Sequence, residues 1–288
     1  MKWLITGANG FTAKHLYIFL KNNGHEVYSI SRSADSAIKC DLSDQEAVKN
    51  IIKEIKPNRV IHLAGVYGLD PGLNDLFYDV HVKQTENLIR ACAAMSCPPA
   101  IALASSAHVY GNKEGKLVED DKPAPIGHYA SSKMHMEIMA KKWTSDLPIY
   151  IARSFNYTGR GQAETFIIPK IIEHFKKRTS WLTLGDISVE RDFSDVRDIV
   201  RYYIALFNVG QISQTVNFCS GNLISISKII SHCQEITGHD LEVVLDPHLI
   251  RPQEIKKLYG CSDKLYRLTG CRPVYNIRQT LEDMLSVK

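Results

Sequence analysis

The sequence contains no long run of apolar residues. A helix that crosses a bilayer needs roughly 20 consecutive apolar residues, and no stretch of these 288 residues approaches that length. Apolar side chains still make up 44% of the chain, which is ordinary for a globular protein. We therefore expect a soluble protein without a membrane partner.

Signals for disulfides, metal sites and secretion are also lacking. The seven cysteines are odd in number and show no close paired spacing, whereas disulfide scaffolds and zinc sites use such pairs. Strand-like residues begin at once with Met1 to Ile5, which leaves no room for a basic and apolar leader. We expect reduced thiols, no metal site and a cytoplasmic location.

Charge is neither strong nor concentrated. The chain has 35 basic and 31 acidic residues, a formal net charge of +4, and its basic residues do not gather into one run. Nucleic-acid binding usually needs such a run, so we expect no nucleic-acid partner. A mildly basic chain instead suits a small anionic ligand.

The sequence does contain an alternation of short β-rich runs with amphipathic helical stretches. Apolar residues recur at three and four positions in Thr12–Asn22 and Leu76–Ala94, which predicts helices. The predicted strands are Lys2–Thr6, Glu26–Ser31, Arg59–Ala64, Ala100–Ser105 and Ile149–Arg153. This alternation predicts an α/β fold with a Rossmann-type, doubly wound parallel sheet.

A glycine-rich turn follows the first predicted strand and precedes the first helix. Backbone amides and the positive end of a helix attract phosphate groups there, and Gly7 and Gly10 let the backbone turn tightly and approach them. The bland alternative is a structural turn, but its position between strand and helix favours a dinucleotide. The expected pyrophosphate contacts are Gly7, Asn9, Gly10, Phe11 and Thr12.

The end of the second strand indicates which dinucleotide is bound. Arg32 stands where an enzyme that prefers NAD usually carries an acidic residue for the ribose 2′-hydroxyl. A guanidinium group can pair with a 2′-phosphate through two hydrogen bonds, so NADPH or NADP is favoured over NAD unless Arg32 is only a solvated surface residue. The other expected cofactor contacts are Asp41, Leu42, Leu63 and Ala64.

Tyr129 and Lys133 are candidate catalytic residues. They lie four apart, which places both side chains on one face of a helix. A nearby ammonium group favours the ionised form of a tyrosine, whose pKa is ordinarily about 10, so the phenol can act as acid or base. Ser106, at the end of a neighbouring strand, can bond to a substrate oxygen.

The alternation of strands and helices weakens after Ser154. Loop signals appear at Thr158–Gly161 and Leu184–Asp186. We therefore expect an NADP-binding domain over residues 1–155, to which residues 193–217 return. A smaller C-terminal α/β domain for the substrate would comprise residues 156–192 and 218–288.

The order of these motifs resembles that of the extended short-chain dehydrogenase/reductases. Three later segments, Arg153–Gln162, Arg191–Asp198 and Arg251–Glu254, look like the branch of that family that acts on GDP-mannose derivatives. The resemblance covers nearly the whole chain. It implies that Ser106, Tyr129 and Lys133 are the catalytic set, with Ser105 as the nearest rival, and that Tyr129 and Lys133 also contact the cofactor.

The same resemblance implies further partners and contacts. Asn156 and Arg191 would hold the substrate diphosphate, and Arg251 and Glu254 would face the nucleotide of a sugar-nucleotide substrate, with GDP favoured. Arginine matches phosphate oxygens through paired hydrogen bonds, although each arginine can also be explained as a surface ion pair. Relatives are commonly homodimers, which implies a homodimer here.

The residues after Ser106 distinguish between reactions. Dehydratases of the family carry an acidic pair there to eliminate water, but this chain has Ala107 and His108. Simple reduction needs no such pair. The resemblance therefore implies that NADPH reduces the C4 ketone of GDP-4-keto-6-deoxy-D-mannose to GDP-D-rhamnose or GDP-6-deoxy-D-talose. Tyr129 would protonate the oxygen and Ser106 would bond to it, while His108 either contacts the sugar or simply packs.

Three alternatives stay open. A sugar-nucleotide 4-epimerase would need tightly held NAD, which Arg32 disfavours; a 4,6-dehydratase lacks its acidic pair; and a non-catalytic NADP-binding protein is disfavoured because the catalytic set is intact. One departure from the family pattern is His81, which stands where the family usually has asparagine. This exchange implies a changed proton path or altered packing beside the cofactor.

Overall fold

The computed structural model describes residues 1–33, 38–68, 71–210, 212–250 and 255–286. The strands are β1 (Lys2–Thr6), β2 (Glu26–Ser31), β3 (Ile38–Lys39), β4 (Arg59–His62), β5 (Ala100–Ser106), β6 (Lys116–Leu117), β7 (Ile149–Ser154), β8 (Asn156–Thr158), β9 (Trp181–Leu184), β10 (Glu190–Arg191), β11 (Phe193–Asp195), β12 (Gln214–Phe218), β13 (Ile224–Ser225), β14 (Glu242–Leu245) and β15 (Lys257–Gly260).

The helices alternate with these strands over most of the chain. They are α1 (Phe11–Asn22), α2 (Gln45–Ile55), α3 (Asn74–Tyr78), α4 (Thr85–Ala93), α5 (Gly127–Lys141), α6 (Ile167–Lys176), α7 (Val196–Leu206), α8 (Ile226–Thr237), α9 (Asp263–Thr269) and α10 (Ile277–Leu285). A π-helical segment, Asp79–Gln84, joins α3 to α4.

The largest sheet has seven strands in the order β12-β7-β5-β4-β1-β2-β3. Every neighbouring pair in it is parallel, so the predicted parallel α/β fold is confirmed. The carboxyl ends of β1, β4 and β5 therefore meet at one edge, which is where a parallel sheet of this type binds its ligands.

Helices cover both faces of this sheet. On one face, Leu16 and Leu20 of α1 pack with Tyr202 and Tyr203 of α7 against the strands. On the other face, α2, α4 and α5 bury a second apolar cluster. The strands are buried on both sides and mainly apolar, as expected of a doubly wound sheet.

The rest of the chain forms a smaller lobe beside the sheet. It contains a four-stranded sheet in the order β13-β10-β15-β6 and the pair β14-β9. An apolar cluster from α6, α8 and α10 forms its core. Strand β12 lies in the large sheet, and α7 packs against α1, while the exact domain division stays a prediction.

Two predicted elements differ from the structure. The predicted helix Leu76–Ala94 is divided by the π-helical segment, which widens the helix and carries the buried His81. The predicted strand Arg59–Ala64 corresponds to β4, which ends at His62. Beyond that end, the amide of Ala64 donates to the Thr6 hydroxyl at 3.2 Å.

Among the residues that the structure describes, no helix is long and apolar enough to cross a membrane. Within the same ranges, no group of three or more His, Cys, Asp or Glu side chains is arranged to hold a metal ion.

Candidate active site

The turn between β1 and α1 is shaped by Gly7. This residue has a φ of +72°, and a Cβ atom added to it would lie 2.8 Å from the backbone nitrogen of Ala64. Any larger residue would therefore be strained and would collide with the loop that follows β4. The Gly10 amide donates to the Gly7 carbonyl at 2.9 Å, and α1 begins at Phe11 without a side-chain cap. Its first amides are thus available to an anion.

A cavity of about 290 Å³ lies against this turn. Arg32 lines it beside Ser33, whose hydroxyl accepts a hydrogen bond from the Asn9 side chain. Asp41 does not line it; its carboxylate instead accepts from the Ser43 amide at 2.9 Å. The predicted cofactor residues that do line this cavity are Gly7, Asn9, Gly10, Arg32, Leu42, Leu63 and Ala64.

A second cavity, of about 340 Å³, adjoins the first. The two share Gly10, Leu63, Gly65 and Val66. Together they form a path along the sheet edge that an extended dinucleotide can follow. The predicted site residues that line the second cavity are Gly10, Phe11, Thr12, Leu63, Ser106, His108, Tyr129, Lys133 and Asn156.

The Tyr129 phenol is governed by burial more than by charge. Burial raises its pKa above the ordinary value, and a hydrogen bond with Ser106 opposes that rise. This differs from the expectation that Lys133 lowers the pKa of Tyr129. Burial is the largest cause of the rise, and the Lys133 ammonium group donates to the Ala104 carbonyl at 2.8 Å. The phenol is thus protonated at neutral pH, as a proton donor must be.

Lys133 is only 6% exposed. Burial lowers the pKa of its ammonium group to about 8, and the Glu137 carboxylate counteracts part of that fall. The lysine therefore changes charge near physiological pH, which is common at functional sites.

Ser105 and Ser106 point to different partners. The Ser105 hydroxyl donates to the Glu137 carboxylate at 2.5 Å. The Ser106 hydroxyl is near enough to the Tyr129 phenol to lower its pKa, and it lies 3.1 Å from Nδ1 of His108. Of the two serines, Ser106 is thus the one placed beside the phenol.

His81 links the loop after β4 to α5. Its Nε2 accepts from the Val66 amide at 3.2 Å, so Nδ1 carries the proton and donates to the Ser132 hydroxyl at 2.9 Å. Ser132 in turn donates to the Tyr129 carbonyl at 2.8 Å. Burial, followed by the charge of Lys133, lowers the pKa of His81 to about 2, so the ring is neutral.

The second lobe closes the cavity from the other side. Tyr157 bonds to the Thr12 hydroxyl at 2.8 Å and stacks on Phe11 with ring centroids 6.1 Å apart. Farther out, Tyr67 stacks on Phe166 across the cavity at 5.8 Å. Both lobes therefore contribute to the cavity wall.

One predicted substrate residue, Arg191, does not line either cavity. Arg191 lies on β10, where its guanidinium group donates to the carbonyls of Glu190 and Lys256 at 2.9 and 3.3 Å. Arg251 and Glu254 lie outside the described residues.

Several cavity residues escaped sequence-based prediction. Val66 and Tyr67 follow β4 in a segment without a recognisable motif, and Phe166 and Tyr203 come from distant helices or loops. By contrast, the Arg153–Gln162 segment, which the sequence analysis singled out, contributes Ser154, Phe155, Tyr157 and Gln162 to the cavity wall.

Comparisons with known proteins agree with this geometry. A sequence profile described as the NAD dependent epimerase/dehydratase family matches residues 3–219. GDP-6-deoxy-D-talose 4-dehydrogenase of Aggregatibacter actinomycetemcomitans is 30% identical over 99% of this chain and 97% of its own. GDP-6-deoxy-D-mannose reductase of Pseudomonas aeruginosa is also 30% identical, over 98% and 95%.

A solved structure shows the same similarity. RMD from Pseudomonas aeruginosa, complexed with NADPH, superimposes with a TM-score of 0.89 at 28% identity. The superposition covers 99% of this chain and 97% of that one.

Proposed function

This chain belongs to the NAD dependent epimerase/dehydratase family, and from that premise we propose that it is an NADPH-dependent reductase of a nucleotide-linked 4-keto-6-deoxyhexose. The favoured substrate is GDP-4-keto-6-deoxy-D-mannose, with GDP-D-rhamnose or GDP-6-deoxy-D-talose as the product. Two relatives matched over nearly their whole length carry names of this chemistry.

One observation carries the proposal. Ser106, Tyr129 and Lys133 line a single cavity that is continuous with the cavity at the glycine-rich turn. A dinucleotide bound along the sheet edge would therefore end beside the phenol, where the substrate ketone must also lie.

The cofactor fits this edge of the sheet. Gly7 leaves room that a Cβ atom would fill, and the uncapped start of α1 suits a pyrophosphate. Arg32, with Ser33 beside it, suits a 2′-phosphate. When bound, NADPH supplies the hydride.

The residues of the chain would control the proton and the geometry. Tyr129, kept protonated by burial, donates its proton to the C4 oxygen as that oxygen gains negative charge. Ser106 donates a second hydrogen bond to the same oxygen. One of the three donors on the Lys133 ammonium group is bound by the Ala104 carbonyl, and the others would hold the nicotinamide ribose.

The residues that follow Ser106 do not supply the acid and the base that elimination of water would need. Ala107 is buried and has no ionisable group that could transfer a proton. The His108 ring lies 3.1 Å from the Ser106 hydroxyl. We therefore assign reduction over 4,6-dehydration. His108 and Asn156, which both line the cavity, are the proposed sugar and diphosphate contacts; Arg191, Arg251 and Glu254 are proposed from the family resemblance alone.

We also propose that the chain works as a cytoplasmic homodimer, with the domain division given above. All seven cysteines are free thiols in the structure, which suits a reducing compartment. Light scattering would report the mass of one or two chains in solution.

The decisive experiment follows NADPH oxidation by absorbance with purified protein and GDP-4-keto-6-deoxy-D-mannose. We expect turnover that falls by about a hundredfold or more in Tyr129→Phe, since the variant keeps the ring and loses the proton. Parallel reactions use NADH and dTDP-4-keto-6-deoxyglucose. Turnover only with the dTDP sugar would reject GDP, and no oxidation with either sugar would reject the reductase. NMR of the product identifies its stereochemistry at C4.

A further inference from the structure

Three consecutive residues of β5 contact three residues of α5 that are spaced four apart. Such spacing places the helical residues on one face, so the two catalytic side chains share that face with Glu137. Lys133 Nζ donates to the Ala104 carbonyl at 2.8 Å, and the Ser105 hydroxyl donates to Glu137 Oε1 at 2.5 Å. Ser106 and Tyr129 face each other at the wall of the second cavity, where Ser106 lowers the pKa of the phenol.

Glu137 is buried together with a single arginine. Its side chain is 2% exposed, and that of Arg153 is 3% exposed. Arg153 donates to the carboxylate through Nη2 at 2.7 Å and Nε at 3.0 Å, and it lies 4.8 Å from the Tyr110 ring centroid. Both oxygens of the Glu137 carboxylate therefore accept hydrogen bonds from Arg153, which fixes the position of the carboxylate.

Such a pair needs a reason other than stability. Desolvation of two charges offsets most of their attraction, and apolar residues of similar size often serve a core equally well. The neighbour that gains from a fixed carboxylate is Lys133, which lies one helical turn before Glu137.

The other ionisable groups around Lys133 do not supply negative charge at neutral pH. His62 on β4 and His81 on the π-helical segment are neutral because burial lowers the pKa of each. Tyr129 is protonated because burial raises its pKa, and the His108 ring contacts the Tyr129 ring edge-on with centroids 6.0 Å apart. Arg153, on β7, contacts Glu137 and adds positive charge behind it.

We propose that Glu137 is a positioning residue: its carboxylate, held by Arg153 and Ser105, provides a fixed negative charge that keeps Lys133 an ammonium ion directed at the Ala104 carbonyl. This role rests on the proposed function only in that Lys133 serves the reduction. Glu137 touches neither substrate nor cofactor; it acts through the lysine.

The test measures the pKa of Lys133 directly, by NMR of ¹³C-lysine-labelled protein, with the signal assigned by its loss in Lys133→Met. We expect Glu137→Gln to lower that pKa by about one unit, because a carboxylate near the ammonium group is lost. The matched control, Glu137→Asp, keeps the charge and should stay close to wild type.

A double variant covers the case in which Glu137→Gln does not fold. Glu137→Gln with Arg153→Met removes both buried charges, so no uncompensated guanidinium remains. Its Lys133 pKa should fall less than in the single variant, because the positive charge of Arg153 has gone as well. With active enzyme, the alkaline limb of the pH profile of kcat/KM should move to lower pH, and it should move farther in Glu137→Gln than in the double variant.

The outcomes separate the two proposals. A Lys133 pKa that is unchanged in the folded variants would overturn the role of Glu137, whatever substrate the enzyme takes. Absence of ketone reduction by the wild type would reject the proposed function, yet the NMR titration would still report whether Glu137 controls the lysine.

Discussion

Two histidines, His62 and His81, are buried beneath the candidate active site. The ring nitrogens of His62 bond to the hydroxyls of Thr6 and Thr85 at 2.7 and 2.8 Å. Burial, with a smaller contribution from Lys133, lowers the pKa of His62 to about 3 and that of His81 to about 2. Both rings are thus neutral. His62 joins β1 to α4 by hydrogen bonds, and His81 joins the loop after β4 to α5.

These histidines should make the protein sensitive to acid. Above a pH of about 6.5 they are neutral in both the folded and unfolded states. As pH falls below that value, the unfolded chain binds protons that the folded chain does not, so stability is lost down to the folded pKa values near 2 and 3.

At about pH 5 the loss should be about 2 kcal/mol for each histidine. Urea unfolding near pH 5 and near pH 8 measures it. His81→Asn should be less stable at both pH values but should lose less on acidification. An equal acid loss in this variant and in the wild type would show that His81 titrates normally.

Arg32 is the side chain on which cofactor preference should depend. We expect Arg32→Ala to weaken NADPH binding by about tenfold to a hundredfold, since a hydrogen bond to a charged group is worth about 1.5–3 kcal/mol. NADH lacks the 2′-phosphate and should bind almost unchanged. Fluorescence titration of each cofactor measures both constants.

Arg90→Ala is the control for Arg32, because Arg90 is an exposed arginine that pairs with Glu86 away from both cavities. Equal losses for NADPH and NADH in Arg32→Ala would mean that Arg32 does not recognise the 2′-phosphate.

At the scale of elements, the turn between β1 and α1 depends on the loop after β4. A Cβ atom on Gly7 would come within 2.8 Å of the Ala64 nitrogen, whereas a Cβ atom on Gly24, which has the same φ of +72°, would meet no other atom within 4 Å. A substitution at Gly24 therefore tests backbone strain alone, whereas one at Gly7 tests strain together with the close approach of Ala64.

Gly24→Ala should cost about 1–2 kcal/mol, the penalty of the left-handed conformation alone. Gly7→Ala should cost more and should also weaken NADPH binding, because the turn must move away from Ala64. Thermal unfolding and cofactor titration of both variants measure the difference. Equal losses, with NADPH affinity intact in Gly7→Ala, would contradict the role of this close approach.

At the scale of the whole molecule, both lobes border the second cavity. Tyr157 of β8 bonds to Thr12 of α1, and Phe166 stacks on Tyr67. A ligand in this cavity would therefore contact residues that are distant in the sequence, and its binding should stabilise the folded chain as a unit.

NADPH at about a hundred times its Kd should stabilise the protein by about 2.7 kcal/mol. For a chain of this size that is a rise in Tm of roughly 4–5 °C. NADH at the same concentration should give a smaller rise, and Arg32→Ala should narrow the gap. Differential scanning calorimetry measures these shifts, and an equal rise with both cofactors in the wild type would contradict the preference for NADPH.

Local sequence determined much of this protein. The bounds of β1 and β2 follow from short-range residue patterns and agree with the structure. The parallel fold follows from the alternation of strands and helices. The glycine-rich turn and the four-residue spacing of Tyr129 and Lys133 were visible for the same reason, since each involves neighbouring residues.

Tertiary structure decided what depends on residues far apart in the chain. The sequence could not separate Ser105 from Ser106 by partner, because that choice is made by Glu137 across the strand-helix packing. It could not tell that burial raises the pKa of the Tyr129 phenol. Nor could it place the two nitrogens of His81, because a side chain's protonation and partners are determined by the elements that surround it after folding.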